Sequence, residues 1–263
     1  MKVITFHSYK GGTGKSFLSL NVAAHLSKYQ SQRVALIDFD TRAPTLYHRF
    51  KPSDTDNQWL NEYLDAKISF DNVLKDYSYL ISPKGKFFVG FSSPKTRDMQ
   101  EMQIKTRQWQ QRALTLLMRA ISEIKNDFDW VILDSSPGVT YDSLNAMSSS
   151  DAVILVSTPD HADIHGTNEM CLEIWPSLMK FGAKPSLVLN KVPRENRSTD
   201  ELINTDEMIN NLSENTDIVC LAKIPIFCDK SILTQNIFII EYPDHPMTNY
   251  IESLSQSIIS LIK

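Results

Sequence analysis

Tyr9-Lys10-Gly11-Gly12-Thr13-Gly14-Lys15-Ser16 follows the apolar run Val3-Ile4-Thr5-Phe6, and this stretch decides the fold. An apolar strand, a glycine-rich loop, a lysine, a hydroxyl and then a helix form a phosphate-binding loop. Gly11, Gly12 and Gly14 lack a Cβ, so the loop can curl and aim backbone N–H groups at phosphate oxygens. Thr13 and Phe17 belong to the same cradle. Lys15 is placed to reach the β- and γ-phosphates and the Ser16 hydroxyl to ligate Mg²⁺. The helix beginning at Lys15 turns its positive dipole end toward them. The implied ligand is a nucleoside triphosphate with Mg²⁺. The usual loop opens on glycine; here Tyr9 holds that place and Lys10 the next.

Outward from the loop, apolar strands alternate with helical stretches. Strands are expected at Val3–Phe6, Val34–Ile37, Phe87–Phe91, Val131–Leu133, Ala152–Val156, Ser186–Leu189 and Ile218–Leu221. Helical spacing runs through Leu18, Val22 and Leu26, and through Leu114, Leu117, Met118, Ile121 and Ile124. Val131-Ile132-Leu133 and Val153-Ile154-Leu155-Val156 are continuously apolar, as strands covered on both faces must be. The pattern predicts an α/β fold with a doubly wound, mainly parallel sheet flanked by helices. The stretch from Lys51 to Lys86 is the least regular, with short helices expected over Trp59–Leu64 and Phe70–Tyr77. No linker divides the chain, so residues 1–263 are expected to form a single P-loop domain.

The chain has 263 residues, 42% of them hydrophobic, which allows a sizeable core. The net charge of −4 excludes a chain-wide basic surface and leaves room for a local patch. Cys171, Cys220 and Cys228 are odd in number and form no C-x-x-C pair, so they read as reduced thiols of a cytoplasmic protein. The first strand starts at once, leaving no room for a signal peptide. No apolar run approaches the roughly 20 residues that span a bilayer.

Open parallel sheets bind ligands at the C-terminal ends of their strands. Two strands end there in carboxylates. Val34–Ile37 runs into Asp38-Phe39-Asp40, whose alternation puts both acids on one side if the strand persists. Val131–Leu133 ends in Asp134, an apolar strand closed by a carboxylate that can hold Mg²⁺. Gly138 follows on a loop whose backbone N–H can meet a γ-phosphate and let go when that phosphate leaves.

Lys10-Gly11-Gly12-Thr13-Gly14-Lys15-Ser16, with its second lysine, resembles the ParA/MinD family of deviant Walker A P-loop ATPases (the SIMIBI class). The resemblance runs from Lys2 to about Leu261. It implies that Lys10 crosses a dimer interface to the nucleotide of the other subunit. It makes Lys10, Lys15 and Asp40 catalytic, with Asp40 positioning the attacking water, and puts Ser16, Asp38 and Asp134 around the metal. Asn190, after Leu187-Val188-Leu189, would meet the adenine edge, and the turn at Ile224-Pro225-Ile226 would wrap the base's other side. No guanine signature is present, since Lys191-Val192-Pro193 follows Asn190, so ATP is favoured over GTP. Thr41-Arg42-Ala43-Pro44-Thr45 departs from the Asp-Pro-Gln of plasmid-partition relatives and stands closer to MinD-like proteins and bacterial tyrosine kinases.

The resemblance therefore implies an Mg-dependent ATPase that forms an ATP-bound homodimer, is stimulated by a partner protein, and positions or partitions DNA or another cargo. A kinase-like or assembly ATPase, or a nucleotide-gated scaffold, stays open as an alternative. Arg97, Lys105, Arg107, Arg112 and Arg119 could form a stripe for non-specific DNA, or an ordinary solvated face. From Lys180 onward the chain is net acidic, which opposes DNA binding there. His161 and His165 have metal-ligand spacing without a third ligand. Ile251, Leu254, Ile258 and Leu261 stripe the last helix, which is expected to dock on the domain; no basic, aromatic membrane anchor extends beyond it.

Overall fold

A computed structural model describes residues 1–52, 58–81, 85–193, 205–229 and 236–263. Its strands are β1 (Lys2–His7), β2 (Arg33–Phe39), β3 (Leu74–Asp76), β4 (Lys86–Gly90), β5 (Trp130–Ser135), β6 (Ala152–Ser157), β7 (Lys184–Val192) and β8 (Val219–Pro225). Its helices are α1 (Lys15–Gln30), α2 (Leu46–Phe50), α3 (Leu60–Leu64), α4 (Thr96–Gln103), α5 (Arg107–Glu123), α6 (Tyr141–Ser148), α7 (His161–Leu178), α8 (Thr205–Thr216), α9 (Phe238–Glu241) and α10 (Pro246–Leu261). The strands form one sheet in the order β3-β4-β2-β5-β1-β6-β7-β8. Every pairing is parallel except β3 with β4. This is the expected doubly wound sheet.

The continuous apolar strands are explained by two covered faces. Ile132 of β5 points into a core shared with α1 and α10, while its neighbours Val131 and Leu133 point into a second core with α3 and α5. Val153 and Leu155 of β6 face a third cluster, under α7 and α8. Residue alternation thus splits one strand between two cores. Helix α1 is buried nearly all round because α10 covers its outer side with Ile251, Leu254 and Ile258. The last helix docks as expected. Among the described residues no helix is long and apolar enough to cross a membrane.

The expected helix over Phe70–Tyr77 is not formed. Phe70–Asn72 makes a single 3₁₀ turn, and Leu74–Asp76 becomes the antiparallel edge strand β3. A lone two-turn helix gains little, whereas the open edge of β4 supplies ready backbone partners. Gly90 makes the pairing close: a Cβ there would lie 3.3 Å from Val73 and 3.4 Å from Leu74. The helix over Trp59–Leu64 does form, shortened to α3, with Trp59 as its N-cap.

Candidate functional site

The site lies at the C-terminal ends of β1, β2 and β5, where the chain leaves β1 into α1. Gly12 (φ 82°) and Gly14 (φ 97°) take left-handed backbone conformations that side chains with a Cβ rarely adopt. Gly14 caps α1 with no side chain, so the helix's first N–H groups face the cradle. The loop is held from several sides. Gly138 (φ 73°) donates its N–H to the Ser8 carbonyl at 2.9 Å. Asn190 Nδ2 donates to the Thr13 carbonyl at 2.7 Å, and Lys191 Nζ to the Gly12 carbonyl at 2.6 Å. On the far side the Tyr9 ring lies flush on α7, where a Cβ on Gly166 would come within 2.1 Å of it.

Inside the cradle Lys15 Nζ contacts Asp134 Oδ1 at 2.6 Å and donates to Ser16 Oγ at 3.3 Å. The Lys15–Asp134 pair is buried. Register pairing sets Asp38 beside Asp134 on adjacent strands. Strand β2 stops at Phe39, so Asp38 and Asp40 are related by a turn and not by strand alternation: Asp40 N–H donates to Asp38 Oδ1 at 3.2 Å. Asp38 Oδ2 accepts N–H from Thr45 and Leu46 at 3.0 and 2.9 Å. Asp40 Oδ1 accepts from Arg42 and Ala43.

Burial, reinforced by the nearby charge of Asp134, pushes the Asp38 carboxyl up to about 8 against the opposing Leu46 N–H. Asp40 is also raised, again chiefly by burial. His7, at the end of β1, is fully buried, meets Ser135 Oγ at 2.9 Å, and is lowered to about 3 by burial and then by the Lys15 charge. Asp134 Oδ2 and Thr13 Oγ1 are buried with no hydrogen-bond partner among the described residues. Two orphaned oxygens, one a carboxylate and one a hydroxyl, beside Lys15 and the N-terminus of α1 fit a phosphate with its divalent cation.

Lys10 lies outside the cradle. Its Nζ sits 2.9 Å from Asp160 Oδ1, at the N-cap of α7, with side chains 42% and 61% exposed. Past the cradle, Ile226 N–H donates to the Val192 carbonyl at 2.8 Å. There Pro193, Ile226, Phe227, Cys228 and Asp229 line a cavity of about 410 Å³, directly after Pro225.

The structure therefore gathers Gly11 to Ser16, Asp38, Asp40, Asp134 and Gly138 at one point, with Phe17 on the first turn of α1. Asn190 braces the loop. Sequence reading passed over His7, Asp160, Lys191, Gly166 and the buried bond from Thr41 Oγ1 to Asp142 Oδ2 at 2.7 Å. Only Asp160 carried a signal, as a capping residue after Pro159. His161 and His165 stack with ring centroids 6.5 Å apart on an exposed face, and no metal-binding group of three acids, histidines or cysteines occurs among the described residues.

The family model described as an AAA domain, AAA_31, matches residues 1–189. The chain belongs to the ParA/MinD family of P-loop ATPases. The virulence plasmid ParA family protein pGP5-D of Chlamydia psittaci is 24% identical over 264 residues, covering 98% of this chain and 94% of that protein. Against four other curated relatives the chain spans between 43% and 64% of their length. Two solved structures share the fold. The cell division ATPase MinD of Pyrococcus furiosus has a TM-score of 0.76 at 21% identity over 99% of both chains. MinD of Pyrococcus horikoshii OT3, solved with Mg-ADP, has a TM-score of 0.73 at 19% identity over 98% of this chain and 95% of that one.

Proposed function

We propose that this chain is an Mg-dependent ATPase whose 263 residues act as one domain, closing a sandwich dimer on ATP and using the cycle to position or partition a cellular cargo. The observation that carries it is the separation of the two loop lysines. Lys15 is buried in its own cradle, while Lys10 stands on the exposed rim, paired with the surface acid Asp160. A lysine so placed is available to a facing subunit.

Ser16, Asp38 and Asp134 would hold Mg²⁺, which supplies positive charge against the phosphate oxygens. Lys15 would leave Asp134 for the β- and γ-phosphates, and Asp40 would orient the attacking water from the turn after β2. Gly138 would give up the Ser8 carbonyl to donate its N–H to the γ-phosphate, so this loop reports whether that phosphate is present. Asn190 and Pro225 would border the adenine. ATP that binds the dimer better than the monomer must favour dimerisation. A partner protein would then speed a slow turnover. DNA draws limited support as the cargo surface: Arg97, Arg119 and Lys105 pair with Glu101, Glu123 and Asp65.

Sizing the protein with Mg·ATP tests the reading. Asp40→Ala is expected to accumulate as an ATP-bound dimer and Lys10→Ala to stay monomeric. A Lys10→Ala protein that dimerises like the parent removes the sandwich mechanism. Transfer of labelled phosphate to protein would favour the kinase-like alternative.

A further inference from the structure

We infer that His245 is a positioning residue for the base of a purine nucleoside triphosphate, an assignment that rests on the nucleotide reading above. His245 is the N-cap of α10, far along the chain from every residue of the cradle. Its Nδ1 accepts the N–H of Met247 at 3.0 Å. With that nitrogen an acceptor, the neutral ring carries its proton on Nε2, 3.2 Å from Asp229 Oδ2. The imidazole thus donates to the last described residue of the cavity wall.

The same ring packs against two phenylalanines. Phe227, another wall residue, packs edge-on with centroids 5.1 Å apart. Phe238 packs on it at 5.1 Å and 88°, and in turn meets Phe17 at 5.4 Å and 60°. Phe17 sits on the first turn of α1, two residues beyond the phosphate lysine. One imidazole therefore links the wall that would face the base to the helix that would face the phosphates. Edge-to-face aromatic pairs and a hydrogen bond to a carboxylate both fix orientation. Triphosphate and base are one rigid-ended ligand, so the spacing of their two sites sets how well both are filled together.

Two isosteric changes separate this role from helix capping. His245→Asn keeps an acceptor where Nδ1 stood and loses the Asp229 tie. His245→Gln keeps a donor where Nε2 stood and loses the cap. Asp229→Ala cuts the same tie from a half-exposed residue. Calorimetric titration with Mg·ATP and with inorganic tripolyphosphate reads the outcome. His245→Asn and Asp229→Ala should weaken ATP about tenfold and leave tripolyphosphate within about twofold of the parent. His245→Gln should recover ATP affinity to within about threefold of the parent. Unchanged ATP affinity in His245→Asn, a parallel loss of ATP and tripolyphosphate, or equal ATP losses in the Asn and Gln variants would each overturn the assignment while leaving the cradle intact. A parent protein that binds neither probe overturns the nucleotide reading and this inference with it.

Discussion

Lys10 Nζ lies 2.9 Å from Asp160 Oδ1 of its own chain, so the lysine proposed to serve a facing subunit starts out committed at home. The hydrogen bond raises the Lys10 ammonium and lowers the Asp160 carboxyl from their ordinary values. Asp160 also caps α7 by accepting the Asp163 N–H at 3.0 Å. Asp160→Asn keeps that cap and discharges the partner. The ATP concentration at half-maximal dimerisation should fall, by no more than about fivefold because exposed pairs are weak. Light scattering across an ATP series reads the shift; an unchanged or higher midpoint shows that the pair does not hold Lys10 back.

The contact of Tyr9 with Gly166 gives a prediction whose sign reverses with background. Gly166 lies within α7, where alanine is the better helix former by about 1 kcal/mol. A Cβ there would meet three Tyr9 ring atoms at 2.1 to 2.5 Å. Gly166→Ala should therefore destabilise the parent by about 1–3 kcal/mol through overpacking. In a Tyr9→Ser background the same change should stabilise by about 0.5–1 kcal/mol. Urea denaturation of the four proteins closes the cycle; additive effects would mean that the ring does not rest on the helix.

The thermal stability of the nucleotide-free protein should fall as pH rises from 6.5 to 8. Asp38 has its folded value raised from 3.8 to about 8, so between these the folded state holds a proton that the unfolded state releases. Stability is then lost with increasing pH. Asp40, also raised, acts in the same direction. His7 and His25 are lowered and oppose it, chiefly below their ordinary value of 6.5, where the unfolded chain takes up protons that these rings refuse. Above 6.5 that opposition fades and the carboxyls prevail among these four groups. Asp38→Asn should flatten the slope of Tm against pH in that window. A variant slope equal to the parent's places the titration elsewhere.

Why some of this was visible in sequence and some not follows from range. Gly12, Gly14, Lys15 and Ser16 act within one turn of chain, so their spacing alone betrays the cradle. Strands such as Val131–Leu133 are legible because both faces are buried and every residue is apolar. Asp38 and Asp134 become neighbours through sheet register, inferred only from strand-end position. The tie from Thr41 to Asp142 and the edge-on packing of His245 with Phe227 and Phe238 join residues distant in sequence, and no local pattern marks them. The strand β3 was misread for the converse reason: its conformation is set by the free edge of β4 and not by its own residues.

Thr41 and Asp142 join the loop after β2 to the helix after Gly138, the two segments expected to respond to the γ-phosphate. The Thr41 hydroxyl donates to Asp142 Oδ2 at 2.7 Å in a buried setting, with Arg42 Nε 3.8 Å from the same oxygen. Thr41→Val keeps the volume and removes the donor, leaving a buried carboxylate short of one partner. The change should cost about 1.5–3 kcal/mol of stability, as for a hydrogen bond to a charged group. Thr41→Ser keeps the hydroxyl and should retain most of that stability. If the bond also transmits between the loops, Thr41→Val should uncouple them. ATP would then protect one segment from amide hydrogen exchange without the other, where the parent protects both. Equal protection of both segments in Thr41→Val would leave the bond a purely stabilising one.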